Sequence, residues 1–339
     1  MTTTVDLAPQ AQLMQFFTAK WVLPTIGVLA ELDIADHLAD GPRTPEDLAA
    51  SSGADPGALY RLLRAAASVD VFVEDDEGRF GLTPMAQCLR TDVSGSLRAA
   101  AIMFTRDPFW RPYAHVMHSA RTGTPAFDAV FGADIYTYLA QDTEDAQLFQ
   151  AAAIGFYAAS TGPVVRAYDF SRFSTVIDLG GGIGFLLAAI LEEHPHLSGV
   201  LLERPHMLAE AREVFAGRGL GERVELVDGD FFDTVPAGGD VYVIKSCLHN
   251  FRDARAIEVL RVIRRTIPEG APLLVVEGVV PAGNEPHYTK FDDVEMLVVA
   301  GGVDRRADQW ATLLSDAGFQ LSRIIPATGM VSVLEAHPR

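Results

Sequence analysis

Cysteine is nearly absent from this chain of 339 residues, where Cys88 and Cys247 are the only two. That excludes a disulfide framework and any metal site built from cysteine, and it suits a reducing compartment. Each lies among apolar neighbours and is expected as a small core residue. Basic residues are also scarce, 27 Lys+Arg against 45 Asp+Glu, which gives a formal charge of −18. A nucleic-acid partner needs clustered cations to neutralise phosphate, and an anionic membrane surface repels a chain of this sign. Neither is expected as a partner. No unbroken run of 18 apolar residues occurs, so no transmembrane helix is expected. Met1–Pro9 has neither the basic nor the apolar region of a signal peptide, and a cytoplasmic location is expected. What is abundant is apolar residue, 49% of the chain, enough to bury the cores of roughly two domains at ~150 residues each.

The N-terminal third reads as helical with one hairpin. Leu13, Phe16, Phe17, Val22, Ile26 and Leu29 recur at helical spacing within Ala11–Ala39, a segment that Pro24 is expected to kink or divide. Thr44, followed by Pro45, Glu46 and Asp47, reads as an N-cap, and a further helix is expected near Asp55-Pro56. Val71–Val73 and Arg79–Leu82 flank a turn and form a hairpin. Helices followed by a two-stranded wing make a winged-helix pattern. A DNA reader would carry cations on its wing, whereas this wing turn is Glu74-Asp75-Asp76-Glu77, which favours a dimerising or structural module. From Ser94 to Ser160 the chain stays helical and rich in large side chains, Phe156 among them, some of which are expected to meet a flat ligand.

After Phe173 apolar runs alternate with helical stretches. Strands are expected at Thr175–Leu179, Gly199–Leu202, Val224–Leu226, Val241–Ile244, Leu273–Val276 and Met330–Leu334, with helices at Phe185–Glu193 and Ala254–Thr266. This order indicates an α/β fold with a mostly parallel, doubly wound sheet whose ligand sits at the strands' carboxyl ends. The first strand runs into Asp178-Leu179-Gly180-Gly181-Gly182-Ile183-Gly184. Phe185 breaks the dinucleotide fingerprint G-x-G-x-x-G, and no Gly-Lys-Ser/Thr follows to make a P-loop. Glu203, at the end of the second strand, can accept hydrogen bonds from a ribose diol. Asp230 can accept from an exocyclic amine, and Phe231 can flank an adenine. The set suits an adenosine without phosphates.

Taken together, DLGGGIG (178–184), Leu202–His206, GDFF (229–232), Ile244–Asp253, Glu277 and Gly301–Arg305 resemble the small-molecule O-methyltransferases that use S-adenosylmethionine, of the plant caffeate/flavonoid and actinobacterial polyketide-tailoring types. The resemblance implies a Rossmann-like doubly wound methyltransferase domain preceded by a mostly helical winged-helix dimerisation domain. Residues 1–98 would dimerise the protein, 99–164 would connect and help shape the substrate pocket, and 165–339 would bind the cofactor. It implies that Gly180 and Gly182 lie against the methionine part of S-adenosylmethionine. Glu203 would hold its ribose, Asp230 and Phe231 its adenine, and Lys245 with Ser246 its outer edge. His249 would be the general base, with Glu277 and Asp304 flanking it. Asn250 and Phe251 stand where the family has Asp-Trp, and Glu295 replaces an Asn before Met296. These departures alter the expected acceptor pocket, for which Phe156, Asn250 and Met296 are the expected contacts.

A methyl sulfonium is already activated, so the protein mainly aligns the attack. A phenol with pKa near ~10 attacks poorly until it loses its proton, which a histidine can take. The expected function is O-methylation of a phenolic hydroxyl on a small aromatic molecule by a homodimer that uses no metal. The alternatives are C- or N-methylation or non-methyl chemistry on the same fold, and a winged-helix regulator that senses a metabolite.

Overall fold

The structure, a computed structural model, describes residues 8–339. The signal-peptide reading of residues 1–7 lies outside them. The chain forms two compact units, Met1–Ala114 with Tyr136–Tyr157, and His115–Ile135 with Ala158–Arg339. The segment expected to connect two domains is thus shared between the units.

In the first unit a helix runs from Pro9 to Glu31 without dividing at Pro24. Proline removes one backbone donor there. The Thr25 hydroxyl donates to the Trp21 carbonyl at 2.8 Å and ties the loosened turn. Three residues on from Pro24, Gly27 lets Thr105 and the Ala101 carbonyl approach so closely that a Cβ would lie 2.5 Å from the threonine methyl. The helix stops at Glu31, short of Ala39, because Asp33 turns into the left-handed region (φ 52) before a short helix at Ile34–His37. The two expected caps are present. Thr44 accepts from the Asp47 N–H at 3.2 Å and Asp55 from the Ala58 N–H at 2.8 Å, each worth about 1 kcal/mol. Leu59, Leu63 and Ala66 on the helix Pro56–Ala67 point into the core with Phe72 and Phe80. The wing is the antiparallel pair β1 (Phe72–Glu74) and β2 (Phe80–Leu82). Asp75 shapes its turn by accepting from the Glu77 and Arg79 N–H groups.

One sequence expectation is corrected here. Cys88 is exposed, not a core residue, because it caps the four-residue helix Pro84–Gln87, whose only buried side is Ala86. Two helices, Pro9–Glu31 and Thr143–Ala167, are long and apolar enough to cross a membrane by length and composition. Polar residues interrupt both, so neither is an unbroken apolar run, and length and composition alone do not place either in a membrane. Such helices also suit docking of an apolar face on protein. Leu13, Met14, Phe16, Phe17 and Trp21 are all exposed on the first of them.

The second unit is built on a seven-stranded sheet. Its strands are β3 (Thr175–Leu179), β4 (Ser198–Glu203), β5 (Val224–Asp228), β6 (Val241–Lys245), β7 (Leu273–Glu277), β8 (Phe319–Pro326) and β9 (Ser332–Pro338). They lie in the order β5-β4-β3-β6-β7-β9-β8, parallel except that β9 runs antiparallel to both β7 and β8. The central strands β3, β6 and β7 are largely apolar and buried on both faces, as a sheet covered by helices requires. β8 escaped the sequence reading. It mixes polar and apolar residues, FQLSRIIP, and its Arg323 pairs with Glu335 of β9 at 2.7 Å. β9 starts two residues later than expected and runs on through Glu335 and His337. Chain order reverses between β3 and β6, which places a ligand crevice at their carboxyl ends.

Gly184 starts the helix Phe185–Glu193 at φ 82, and a Cβ there would lie 2.3 Å from the buried Phe215 ring. Gly184→Ala is therefore expected to destabilise the protein by about 2–4 kcal/mol, read as a lowered urea midpoint at unchanged slope.

Candidate active site

The turn after β3 is forced open by three left-handed glycines, Gly180 (φ 67), Gly182 (φ 61) and Gly184 (φ 82). The loop folds back over Asp178, so that a Cβ on Gly181 would lie 2.2 Å from a carboxylate oxygen. Gly180 is walled by Phe231 and by the Cys247 sulfur, whereas Gly182 has only the Met207 methyl within 4 Å. One side of the loop is thus open for a ligand to lie against the backbone.

Glu203, at the tip of β4, braces this loop. Its Oε2 accepts from the Gly182 N–H at 2.9 Å and its Oε1 from the Arg204 N–H at 2.7 Å. Burial raises its pKa, which those two bonds oppose. A carboxylate has about four acceptor sites, so lone pairs remain for a diol. Asp230 is held by Arg204 at 2.6 Å and accepts from the Phe232 N–H, and Phe231 packs on Phe232 at 5.2 Å between ring centres. Asp178 is fully buried with neither oxygen hydrogen-bonded, and burial carries its pKa up to about 7. Lys245, at the end of β6, is pulled down to about 8 by burial, against the attraction of Asp178 and Glu277. Ser246 follows in a left-handed conformation (φ 52) with its N–H on the Val276 carbonyl.

Next comes a 3₁₀ turn, Leu248–Asn250, which carries His249. Glu277, the last residue of β7, closes this turn from below. Its Oε1 accepts from the N–H groups of Cys247 (2.9 Å), Leu248 (2.8 Å) and His249 (3.3 Å). The sequence reading has Glu277 flanking His249; the oxygen described by these bonds serves the backbone of the turn, and its charge raises the ring's affinity for a proton. From the other side, Val303 donates to the His249 carbonyl at 2.8 Å, and Gly302 passes so close that a Cβ would stand 2.0 Å from that oxygen. Arg305, 1% exposed, donates to the carbonyls of Leu248, Phe251 and Val303 and pairs with Asp253.

The ring of His249 is buried. Its Nδ1 lies 3.6 Å from Asp304 Oδ1 and 3.9 Å from Asp292 Oδ2, ion-pair distances too long for hydrogen bonds. Its Nε2 has no protein partner. Burial pulls the ring's pKa down, but the carboxylates of Glu277, Asp304 and Asp292 outweigh it and carry it up to about 9. The sequence reading missed Asp292. It comes from the helix Thr289–Glu295, and Tyr288 donates to its other oxygen at 3.1 Å. Only topology reveals it, because nothing in the local sequence distinguishes Asp292 from Asp293. Nδ1 and the two carboxylates lie within 4.8 Å of one another, a spacing that a divalent cation could bridge.

Asn250 bonds back to the Ser246 carbonyl, and Met296 opens the π-helical turn Met296–Ala300 in the same unit. Phe156 belongs to the first unit, where it packs edge-on against Phe104 at 5.6 Å.

Residues 111–320 match an O-methyltransferase domain and residues 14–92 an O-methyltransferase dimerisation domain. The phenazine O-methyltransferase PhzM of Lysobacter antibioticus is 43% identical over 96% of this chain and 95% of its own length. The 8-amino-8-demethylriboflavin N,N-dimethyltransferase of Streptomyces davaonensis is 39% identical over 96% and 94%. Among solved structures, LaPhzM superposes with a TM-score of 0.92 at 43% identity, covering 98% of this chain and all of the other. NcsB1 from neocarzinostatin biosynthesis, in complex with S-adenosylmethionine and 2-hydroxy-5-methyl naphthoic acid, gives 0.77 at 31% identity, covering 94% and 96%. The chain belongs to the O-methyltransferase family, as a methyltransferase that depends on S-adenosylmethionine and carries the family's dimerisation domain.

Proposed function

We propose that this enzyme methylates a phenolic hydroxyl of a small aromatic natural product, with His249 as general base. The observation that carries the reading is the state of the imidazole. Its Nε2 is buried and unpartnered while two carboxylates stand at Nδ1. A proton that stays on Nδ1 leaves the Nε2 lone pair free to accept one from a hydroxyl, and acids behind the ring stabilise the resulting imidazolium. A ring pKa of about 9 nearly matches a phenol near ~10. Transfer to an ordinary histidine at ~6.5 would cost about 5 kcal/mol; here the mismatch costs about 1.4 kcal/mol.

The cofactor supplies an activated methyl group. The chain's part is to hold it and to present the acceptor oxygen in line with it. We assign Gly180 and Gly182 to its amino-acid end and Glu203 to the ribose. Asp230 and Phe231 would meet the adenine, and Lys245 with Ser246 the rim. The open face of Gly182 and the spare lone pairs of Glu203 support this. Asn250 and Met296 are proposed to touch the acceptor. The exposed apolar face of the helix Pro9–Glu31 lies within the dimerisation match and supports a homodimer. Both cysteines are unpaired, which suits the proposed cytoplasmic location.

One comparison favours a second reading. Relatives include the N,N-dimethyltransferase above and a phenazine-1-carboxylate N-methyltransferase of Pseudomonas aeruginosa. A neutral aromatic amine already presents its lone pair and needs little help from a base. The two readings part at His249.

Mass spectrometry of phenolic and amine acceptors incubated with methyl-labelled S-adenosylmethionine is expected to show transfer to oxygen; label found only on nitrogen would replace the proposal by the second reading. His249→Ala is expected to lower kcat by about 10²–10⁴, with the Kd for S-adenosylhomocysteine by calorimetry within about twofold. Below about pH 9 the ring holds its proton and cannot accept another. The kcat/KM for a phenol is therefore expected to rise from pH 7 and level off above that value. Glu203→Ala is expected to raise the KM for S-adenosylmethionine by about tenfold or more, a loss of about 1.4 kcal/mol or above for a charged hydrogen-bond acceptor. Activity is expected to persist after dialysis against EDTA; loss that Mg²⁺ or Zn²⁺ restores would turn the His249 cluster into a metal centre.

A further inference from the structure

The family reading assigns two acids to the base, at Glu277 and Asp304, but the geometry divides the labour differently. Glu277 Oε1 is spent on three backbone N–H groups of the turn. Asp304 stands at Nδ1 with its side chain 1% exposed and neither oxygen hydrogen-bonded. Asp292 approaches the same nitrogen from a different element, with 20% of its side chain exposed. One of its oxygens accepts from the Tyr288 hydroxyl, which leaves the other turned toward the ring. An aspartate whose second oxygen is tied has little freedom to swing away.

We infer that Asp292, steered by Tyr288, is a second positioning carboxylate for His249: together with Asp304 its charge favours the proton on Nδ1, so that in the neutral ring Nε2 is the acceptor. The inference rests on His249 being the base. Charged and titratable groups lie on the elements around the ring. Lys245 and Cys247 lie on its own strand end and turn, and Glu277 on β7. Asp292 and Asp293 lie on the helix Thr289–Glu295, with Tyr288 just before it, and Asp304 and Arg305 follow the π-helical turn. Among these, only Asp304 and Asp292 form ion pairs with the ring. Two carboxylates beside one N–H also repel each other, and Asp292, the more accessible of the two, is raised by burial and by Asp304, while the imidazole opposes that rise.

The test compares Asp292→Asn, Asp292→Glu, Tyr288→Phe and the double variant His249→Ala/Asp292→Asn in the whole enzyme. Asp292→Asn is expected to lower kcat about tenfold with the KM for S-adenosylmethionine within about twofold, and to move the acidic limb of kcat/KM to lower pH by about one unit, since removal of one neighbouring charge weakens the imidazolium. Asp292→Glu is expected to restore part of kcat, and Tyr288→Phe to lose less than Asp292→Asn. In the His249→Ala background, Asp292→Asn is expected to cost nothing more. An unchanged limb together with unchanged kcat would overturn the inference. So would an equal loss in the His249→Ala background, which marks a purely structural role. NMR titration of the His249 ring, read without acceptor or turnover, separates the two layers. A ring that titrates lower in Asp292→Asn keeps the coupling even if His249→Ala methylates normally, in which case it is the base assignment that fails.

Discussion

The site depends on one carboxylate that faces backbone. Glu277 gathers the N–H groups of Cys247, Leu248 and His249 onto a single oxygen and so fixes the turn between β6 and the helix Asp253–Thr266. Buried N–H groups left without acceptors would each cost about 1–3 kcal/mol, so the turn is held where Glu277 is held. Glu277 is in turn fixed by its strand, which is buried on both faces. Arg305 and Gly302 complete the grip, one by capturing carbonyls and the other by having no side chain to collide. The imidazole therefore inherits its direction from the sheet, through a chain of short and specific contacts.

The same sheet accounts for the nearness of the glycine turn and His249. β3 and β6 are neighbours at the point where strand order reverses, and the glycine turn leaves one while the His249 turn leaves the other. The Cys247 sulfur donates to the Gly180 carbonyl at 3.6 Å, a direct contact between the two turns. Burial concentrates charge there as well. Asp178, Glu203, Lys245, Glu277 and Asp292 have affinities for protons shifted chiefly by burial, whereas His249 is raised by the carboxylates around it against burial. Perturbed groups converging on one crevice are what a catalytic centre demands and what a merely stable core avoids.

Much of this was legible in the sequence because it is encoded locally. Five apolar runs gave strands β3 to β7, and Thr44 and Asp55 declared their helices through their own side chains. Asp178 to Gly184 announced a turn that only glycine can make. What was illegible is encoded by distant partners. Pro24 does not divide its helix, because Thr25 and the close packing at Gly27 hold the turn together. β8 hid behind polar residues that find their partner only across the hairpin. Asp292 meets His249 through topology alone, and Glu277 gave no sign that its oxygen would serve the main chain. The division follows range: a cap or a glycine turn is settled within a few residues, whereas a charge pair is settled by the whole fold.

The antiparallel strand β9 sits between β7 and β8, with Ser332 opposite Glu277. β9 therefore covers the edge of β7 up to the residue that gathers the His249 turn. A lesion in the hairpin of β8 and β9, remote in sequence from every glycine of the loop, would reach the imidazole through the main chain alone.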